Sequence, residues 1–265
     1  MLSCLTVECP ENVPPLSEAL KRLRDTGCTI FEAVVGAPLA RYGPRVTLDA
    51  GSDPPAKAHR LGQGGHPWGP PVWYGLRIGP DGEVKIKPYH RVRRLDDRFT
   101  LPAGLPDGLV PQLASLDGDR TELYLRCRPA LPWHEFAGAC MALLDARPPL
   151  CAPHPRRAES AHCVSLSWAG ADLAAVTVYA QDRCLPDDRT IARQWVDGLD
   201  DVDRRTYEAA VAGVRAAGRP GHRGWHAMLS WTVQADGQAH RAVSLRIADA
   251  GVRTRTEMGS NAAAR

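Results

Sequence analysis

The sequence predicts an α+β fold built on antiparallel strands, and three observations carry that prediction. Strand-like segments come in consecutive pairs, helical segments recur between the pairs, and strand after strand is apolar on one face and polar on the other. Strands that follow one another without an intervening helix do not have the alternating order of a parallel sheet. The recurrence reads as a repeated ααββ or αββ unit.

Taken in order, residues 17–26 read as a short amphipathic helix, with Leu20 and Leu23 apolar, Pro14 and Pro15 ahead of it and Gly27 as its stop. Residues 28–35 are β-prone, and residues 44–49 alternate, Val46 and Leu48 against Arg45, Thr47 and Asp49. Residues 52–71 are rich in Gly and Pro and read as a loop. Residues 73–78 and 83–89 flank Gly79-Pro80-Asp81-Gly82, a hairpin turn sequence. Residues 104–119 read as turn-rich with one helical turn, and residues 121–128 as a strand. Residues 133–147 form a helix with Phe136, Cys140, Leu143 and Leu144 inward, followed by a loop over 148–157. A second hairpin spans residues 163–168 and 174–181 around Gly170. Asp187 and Asp188 suit the positive dipole end of a helix that runs to residue 199. Another helix covers 203–217, ended by Gly218. A third hairpin pairs 225–233 with 240–247 through Asp236-Gly237, and the tail from Thr254 reads as frayed. The chain reads as one domain over residues 1–265.

The stretch Glu83 to His90, E-V-K-I-K-P-Y-H, shows the sidedness most sharply: Val84 and Ile86 face one way, Lys85, Lys87 and Tyr89 the other. The same split recurs at Leu123/Leu125 against Tyr124/Arg126, at Val176/Val178 against Thr177/Tyr179, and at Val243/Leu245 against Ser244/Arg246. Helices have only the apolar face to pack on, and burial there is worth about 25 cal/mol per Å². Two architectures fit. In an open sandwich the polar face is solvated; in a closed barrel clad by helices it lines the interior. Eight to ten strands are countable, enough to close a barrel, and tyrosines repeated beside cations favour closure.

Composition bounds the partners. The net charge of +3, with no long basic run, argues against a nucleic-acid partner. No apolar run approaches the ~18 residues of a membrane helix, and no targeting signal is visible, so a cytoplasmic location is expected. The eight cysteines include no C-x-x-C pair, and reduced, mostly buried thiols are expected. The nine histidines lack H-E-x-x-H spacing, and neither a metal nor a cofactor is expected. The bias toward Ala, Arg, Gly, Pro and Asp is that of a high-GC bacterial genome.

The chain resembles the aromatic prenyltransferases of the dimethylallyltryptophan synthase type, in diverged and shortened form. The motifs run in order. FEAVVGAPLARYGPRVTLD carries Glu32 followed by Arg45; VKIKPY keeps Lys85 and has Lys87 at a Tyr position, with Tyr89 after it. RTELY keeps Arg120 and Tyr124 but has Glu122 where Lys is usual; VTVYAQDRCLPDDRTIARQW keeps Tyr179 and Asp188 but has Thr177 where Lys is usual. The resemblance implies a barrel of about ten strands surrounded by helices, an allylic diphosphate bound by Arg and Lys, tyrosines ringing the allyl group, and an indole or related aromatic acceptor deprotonated by Glu32. It implies no metal, and a monomer or homodimer.

The residue types suit that chemistry. Arg45 and Arg126 match phosphate oxygens bidentately, and aromatic faces stabilise an allylic cation by ~0.5–2 kcal/mol each. The expected site is therefore Glu32 as the base, with Arg45, Lys85, Lys87, Tyr89, Arg120, Tyr124, Arg126, Thr177, Tyr179, Arg246 and Trp73 binding substrate. Trp68, Trp168, Trp225 and Trp231 can either join an aromatic interior or pack the core. Asp200, Asp201 and Asp203 resemble the Asp-rich magnesium motif of other prenyl enzymes, but helix capping is the expected role. Two other readings stay open: a barrel of this fold catalysing a different step such as a cyclisation, and a non-catalytic binder of a small hydrophobic ligand.

Overall fold

The computed structural model describes Asp25 and residues 28–37, 45–51, 67–78, 84–95, 97, 99–128, 131–147, 162–181, 188–197, 199–217 and 224–246. The expected helix at 17–26, residues 52–66 of the loop expected over 52–71, the loop over 148–157, the hairpin turn at 79–82 and the tail from Thr254 fall wholly or almost wholly outside these residues.

Ten strands close into one antiparallel barrel: β1 (Thr29–Ala37), β2 (Arg45–Asp49), β3 (Pro71–Ile78), β4 (Val84–Arg91), β5 (Leu109–Asp117), β6 (Arg120–Cys127), β7 (Cys163–Ala169), β8 (Asp172–Gln181), β9 (His226–Gln234) and β10 (Ala239–Arg246). Each strand pairs with its neighbours in sequence, and β1 pairs with β10 to complete the ring, so no edge is left open. Three helices are described: α1 (Trp133–Ala142) after β6, then α2 (Asp188–Val196) and α3 (Asp201–Ala217) between β8 and β9. α1 lies on β8, α2 on β9 and α3 on β1 and β10.

The core is the shell between strands and helices. Val46, Leu48, Leu123, Leu125, Val164, Leu166, Val176, Val178, Val243 and Leu245 form the outer face of the barrel. They join Phe136, Cys140 and Met141 of α1, Ile191 and Trp195 of α2, and Tyr207, Val211 and Val214 of α3. Both faces of the sheet are therefore buried, one by helices and one by the barrel's own closure. The Cys140 thiol registers the dryness of this shell: burial pushes its pKa up to about 12.

One strand was not legible. Residues 104–119, read as turn-rich, contain β5. Its register shifts between Pro111 and Leu113, and that bulge breaks the period-two pattern on which a strand is recognised. Ala114 and Ser115 are both fully buried, so no polar face is presented at that point either. The Ser115 hydroxyl donates to the Pro88 carbonyl at 2.7 Å, tying β5 to β4 where their ladder is short.

The Asp200 carboxylate accepts the backbone N–H of Asp203 at 2.8 Å, a cap on α3. The aspartates are a helix start, as expected. Asp200→Ala is expected to lower stability by about 1 kcal/mol, measured by urea denaturation.

Candidate functional site

Register decides which side chains share the interior. Trp73, Gly75 and Arg77 of β3 stand opposite Tyr89, Lys87 and Lys85 of β4. Arg45 stands opposite Arg77, and Glu32 has Thr47 on one side and Arg246 on the other. Glu122, Tyr124 and Arg126 of β6 stand opposite Ser167, Ser165 and Cys163 of β7, and Ser165 opposite Thr177 of β8. The alternation read from the sequence therefore brings the polar faces of strands all round the ring into one enclosed space.

Three tyrosines form its centre. Tyr89 meets Tyr124 edge to face with ring centroids 5.7 Å apart, and Tyr124 meets Tyr179 at 6.1 Å. Gly75 makes room for the first of them. A Cβ on Gly75 would lie 3.0 Å from Cε2 and 3.1 Å from the hydroxyl of Tyr89, so the ring rests on bare backbone. Gly75→Ala is expected to push Tyr89 a few tenths of an ångström toward Tyr124 and to cost about 1 kcal/mol, seen as a lower thermal midpoint.

Beside the tyrosines lies a buried ion pair. Lys87 Nζ donates to Glu122 Oε2, and the same oxygen accepts the Tyr124 hydroxyl at 2.8 Å. Ser165 Oγ donates to Glu122 Oε1 at 3.2 Å and lies 3.1 Å from the Tyr179 hydroxyl. Lys87 also sits 5.5 Å from the centre of the Tyr89 ring. Burial by itself would push the Glu122 carboxyl up; Lys87, with help from Arg77 and the Tyr124 hydroxyl, brings it down to about 2. Burial and then Glu122 hold both the Tyr124 and Tyr179 phenols above their ordinary range, so both keep their protons. The carboxylate at a position where the family resemblance implied lysine is thus neutralised by a lysine standing where the resemblance implied tyrosine. Neither Arg120 nor Arg126 neutralises it through a described hydrogen bond.

Arg45 belongs to the same group. Burial lowers its pKa, but Tyr89, Tyr124, Tyr179 and Glu32 together push it further the other way, and the guanidinium stays charged. Among the described residues, the buried Nε of Arg45 and the buried Nε of Arg126 have no hydrogen-bond partner. A buried cationic donor left unmatched is an unmet demand for an acceptor. Glu32 accepts the Thr47 hydroxyl at 2.9 Å.

The expected site residues divide accordingly. Glu32, Arg45, Lys87, Tyr89, Tyr124 and Tyr179 are drawn together by hydrogen bonds, ring contacts or direct electrostatic coupling. Thr177 is buried on the same face and bonds Thr232 at 2.8 Å. Arg246 is half-buried beside Glu32 and donates to the Gly224 carbonyl at 3.4 Å. Lys85 and Arg120 share the interior register but are exposed at strand ends, and Trp73 is exposed opposite Tyr89. Trp68, Trp168, Trp225 and Trp231 pack in the outer core: Trp68 stacks on Phe99 at 5.4 Å, and Trp231 lies 5.5 Å from Trp133. Sequence reasoning did not assign Ser165 and Arg77 to the site, although both were visible as polar-face residues of their strands.

No family model matches the chain, and no curated protein matches it. Solved structures do. 5-Dimethylallyl tryptophan synthase from Streptomyces coelicolor, in complex with DMASPP and Trp, is 17% identical with a TM-score of 0.61, covering 92% of this chain and 91% of that one. The prenyltransferase PriB, in a ternary complex with L-tryptophan and dimethylallyl thiolodiphosphate, is 16% identical with a TM-score of 0.55, covering 82% and 79%. The NotF prenyltransferase is 11% identical with a TM-score of 0.51, covering 82% and 80%. The barrel, ring closure and strand order described above are accordingly those of the prenyltransferase barrel, and this chain has the fold of the dimethylallyltryptophan synthase-type enzymes.

Proposed function

We propose that this protein transfers an allylic prenyl group from its diphosphate to an indole-type or other aromatic acceptor, without a metal ion. One observation carries the reading: a half-buried Arg45 whose buried Nε is unmatched among the described residues is coupled electrostatically to three tyrosines whose rings meet in an enclosed interior. The first feature suits a departing anion, the second a cation left behind.

The reaction is written around this chain's own groups. The allylic C–O bond breaks, and its electron pair leaves with the diphosphate, toward Arg45 and Arg126. Fixed positive charge in a water-poor site lowers the cost of that separation far more than it would in water. The carbocation lies against the faces of Tyr89, Tyr124 and Tyr179, which stabilise it and keep water from capturing it. The electron-rich ring forms the new C–C or C–N bond, and Glu32 takes the displaced proton. The guanidinium groups supply the charge that a metal ion would otherwise bring, which is the basis for proposing metal independence.

The test is product formation and diphosphate release from dimethylallyl diphosphate with tryptophan or indole, with and without EDTA. Prenylated product in both conditions is expected. An isomerised donor that keeps its diphosphate moves the reading to a different step on the same fold. Absence of any product with dimethylallyl and geranyl donors overturns it. Glu32→Gln is expected to lower turnover by about 10²–10⁴-fold in the same assay while the donor still binds.

A further inference from the structure

Glu122 and the groups around it fix more than charge. An ionised carboxylate accepts hydrogen bonds and donates none. The Tyr124 hydroxyl at 2.8 Å therefore donates to it, and so does the Ser165 hydroxyl at 3.2 Å. A serine hydroxyl has one proton. Ser165 points its O–H at Glu122, so in the 3.1 Å contact with Tyr179 the phenol must be the donor. The distance alone leaves that direction open; the chain of bonds settles it. Both phenols spend their only O–H on the wall itself. What Tyr124 and Tyr179 can offer a bound molecule is oxygen lone pairs and ring faces.

We propose that Glu122 is a positioning residue that orients the hydroxyls of Tyr124 and, through Ser165, of Tyr179, so that the two phenol oxygens on this part of the β6–β8 wall accept hydrogen bonds and donate none to a bound molecule. The wall then selects an aromatic acceptor that brings an N–H, and disfavours one that presents a ring oxygen. The inference rests on the indole-type acceptor proposed above and assigns a specificity to its site. Lys87 takes part by keeping Glu122 ionised; a protonated Glu122 would become a donor, and the direction of the chain would be lost. The charged and titratable groups facing this carboxylate are Lys87 from β4, Arg77 from β3 and Tyr124 from β6, with Tyr179 of β8 reached through Ser165 of β7.

The experiment is calorimetric binding of indole and of benzofuran, in which oxygen replaces the N–H, to the full chain. The unmodified protein is expected to prefer indole by about tenfold or more, because benzofuran sets its oxygen against oxygens that cannot donate. In Lys87→Met/Glu122→Leu the pair is replaced by apolar groups of similar size, the hydroxyls can turn, and the preference is expected to fall to about twofold or less. Ser165→Ala leaves Glu122 with Lys87 and Tyr124 and releases only Tyr179; a preference between the two is expected. A protein that binds both probes equally, or neither, overturns the proposal. So does an unchanged preference in either folded variant, and Ser165→Ala decides if the double variant does not fold. The probes carry no diphosphate, so loss of prenyl transfer and loss of this preference are separate results.

Discussion

Lys87→Met is expected to lower the unfolding free energy by about 3–5 kcal/mol. The side chains of Lys87 and Glu122 are 10% and 13% exposed, so the pair is effectively inside the protein. Removing the cation leaves Glu122 facing Tyr124 and Ser165 in a dry interior, without its hydrogen-bonded cation and with the smaller effect of Arg77 in its place. Its carboxyl, now held down to about 2 chiefly by Lys87 against the pull of burial, then moves up, and part of the loss is relieved by protonation. The pH dependence follows. The Glu122 carboxyl is depressed in the folded state relative to an ordinary glutamate near 4.5, so its contribution is complete above about pH 4.5 and lost as the pH falls toward 2. In Lys87→Met that acid-side loss should disappear. The double variant Lys87→Met/Glu122→Leu is expected to recover most of the stability, because two apolar groups replace a pair rather than orphan half of one. Urea denaturation at pH 7 and at pH 3 measures all three. A single variant as stable as the parent would show that the pair carries no net stabilisation.

Arg45→Met is expected to have the opposite signature: activity falls and stability holds. In the proposed reaction Arg45 stabilises the departing diphosphate, and losing one such charge in a preorganised site costs about 10²–10³-fold in turnover. Yet among the described residues its buried Nε has no hydrogen-bond partner, so replacing it with an unbranched apolar stem removes an unmatched polar group rather than a bond at that atom. Stability is expected to stay level or rise, as at sites kept for function against folding. Steady-state kinetics with dimethylallyl diphosphate, read beside a thermal melt, distinguishes the cases. A large loss of stability with unchanged turnover would make Arg45 a structural residue.

Much of the architecture was open to reading because it obeys short-range rules. Alternation at Val84/Lys85/Ile86/Lys87 and at Leu123/Tyr124/Leu125/Arg126 identifies both the strands and their two faces. An Asp-Gly turn needs little context, as Asp236-Gly237 shows, with Gly237 at a positive φ of 80° in the tight turn between β9 and β10. β5 escaped because Pro111 and the bulge beside it remove the alternation. The tryptophans were ambiguous because a large aromatic suits either face, and only strand register puts Trp168 and Trp231 outside while Trp73 shares the inner face with Tyr89.

Apart from β5, the order of strands, their sidedness and the list of polar residues available to an interior follow from this sequence alone, since each depends on residues a few positions apart. The partner of Glu122 does not. Lys87 lies 35 residues away on β4, while Arg120 and Arg126 lie beside Glu122 on its own strand. Pairing of both strands with β5 and the inward curvature of the barrel bring β4 and β6 close enough inside for a lysine to reach across, and only enclosure removes the water that would otherwise make that choice of partner immaterial.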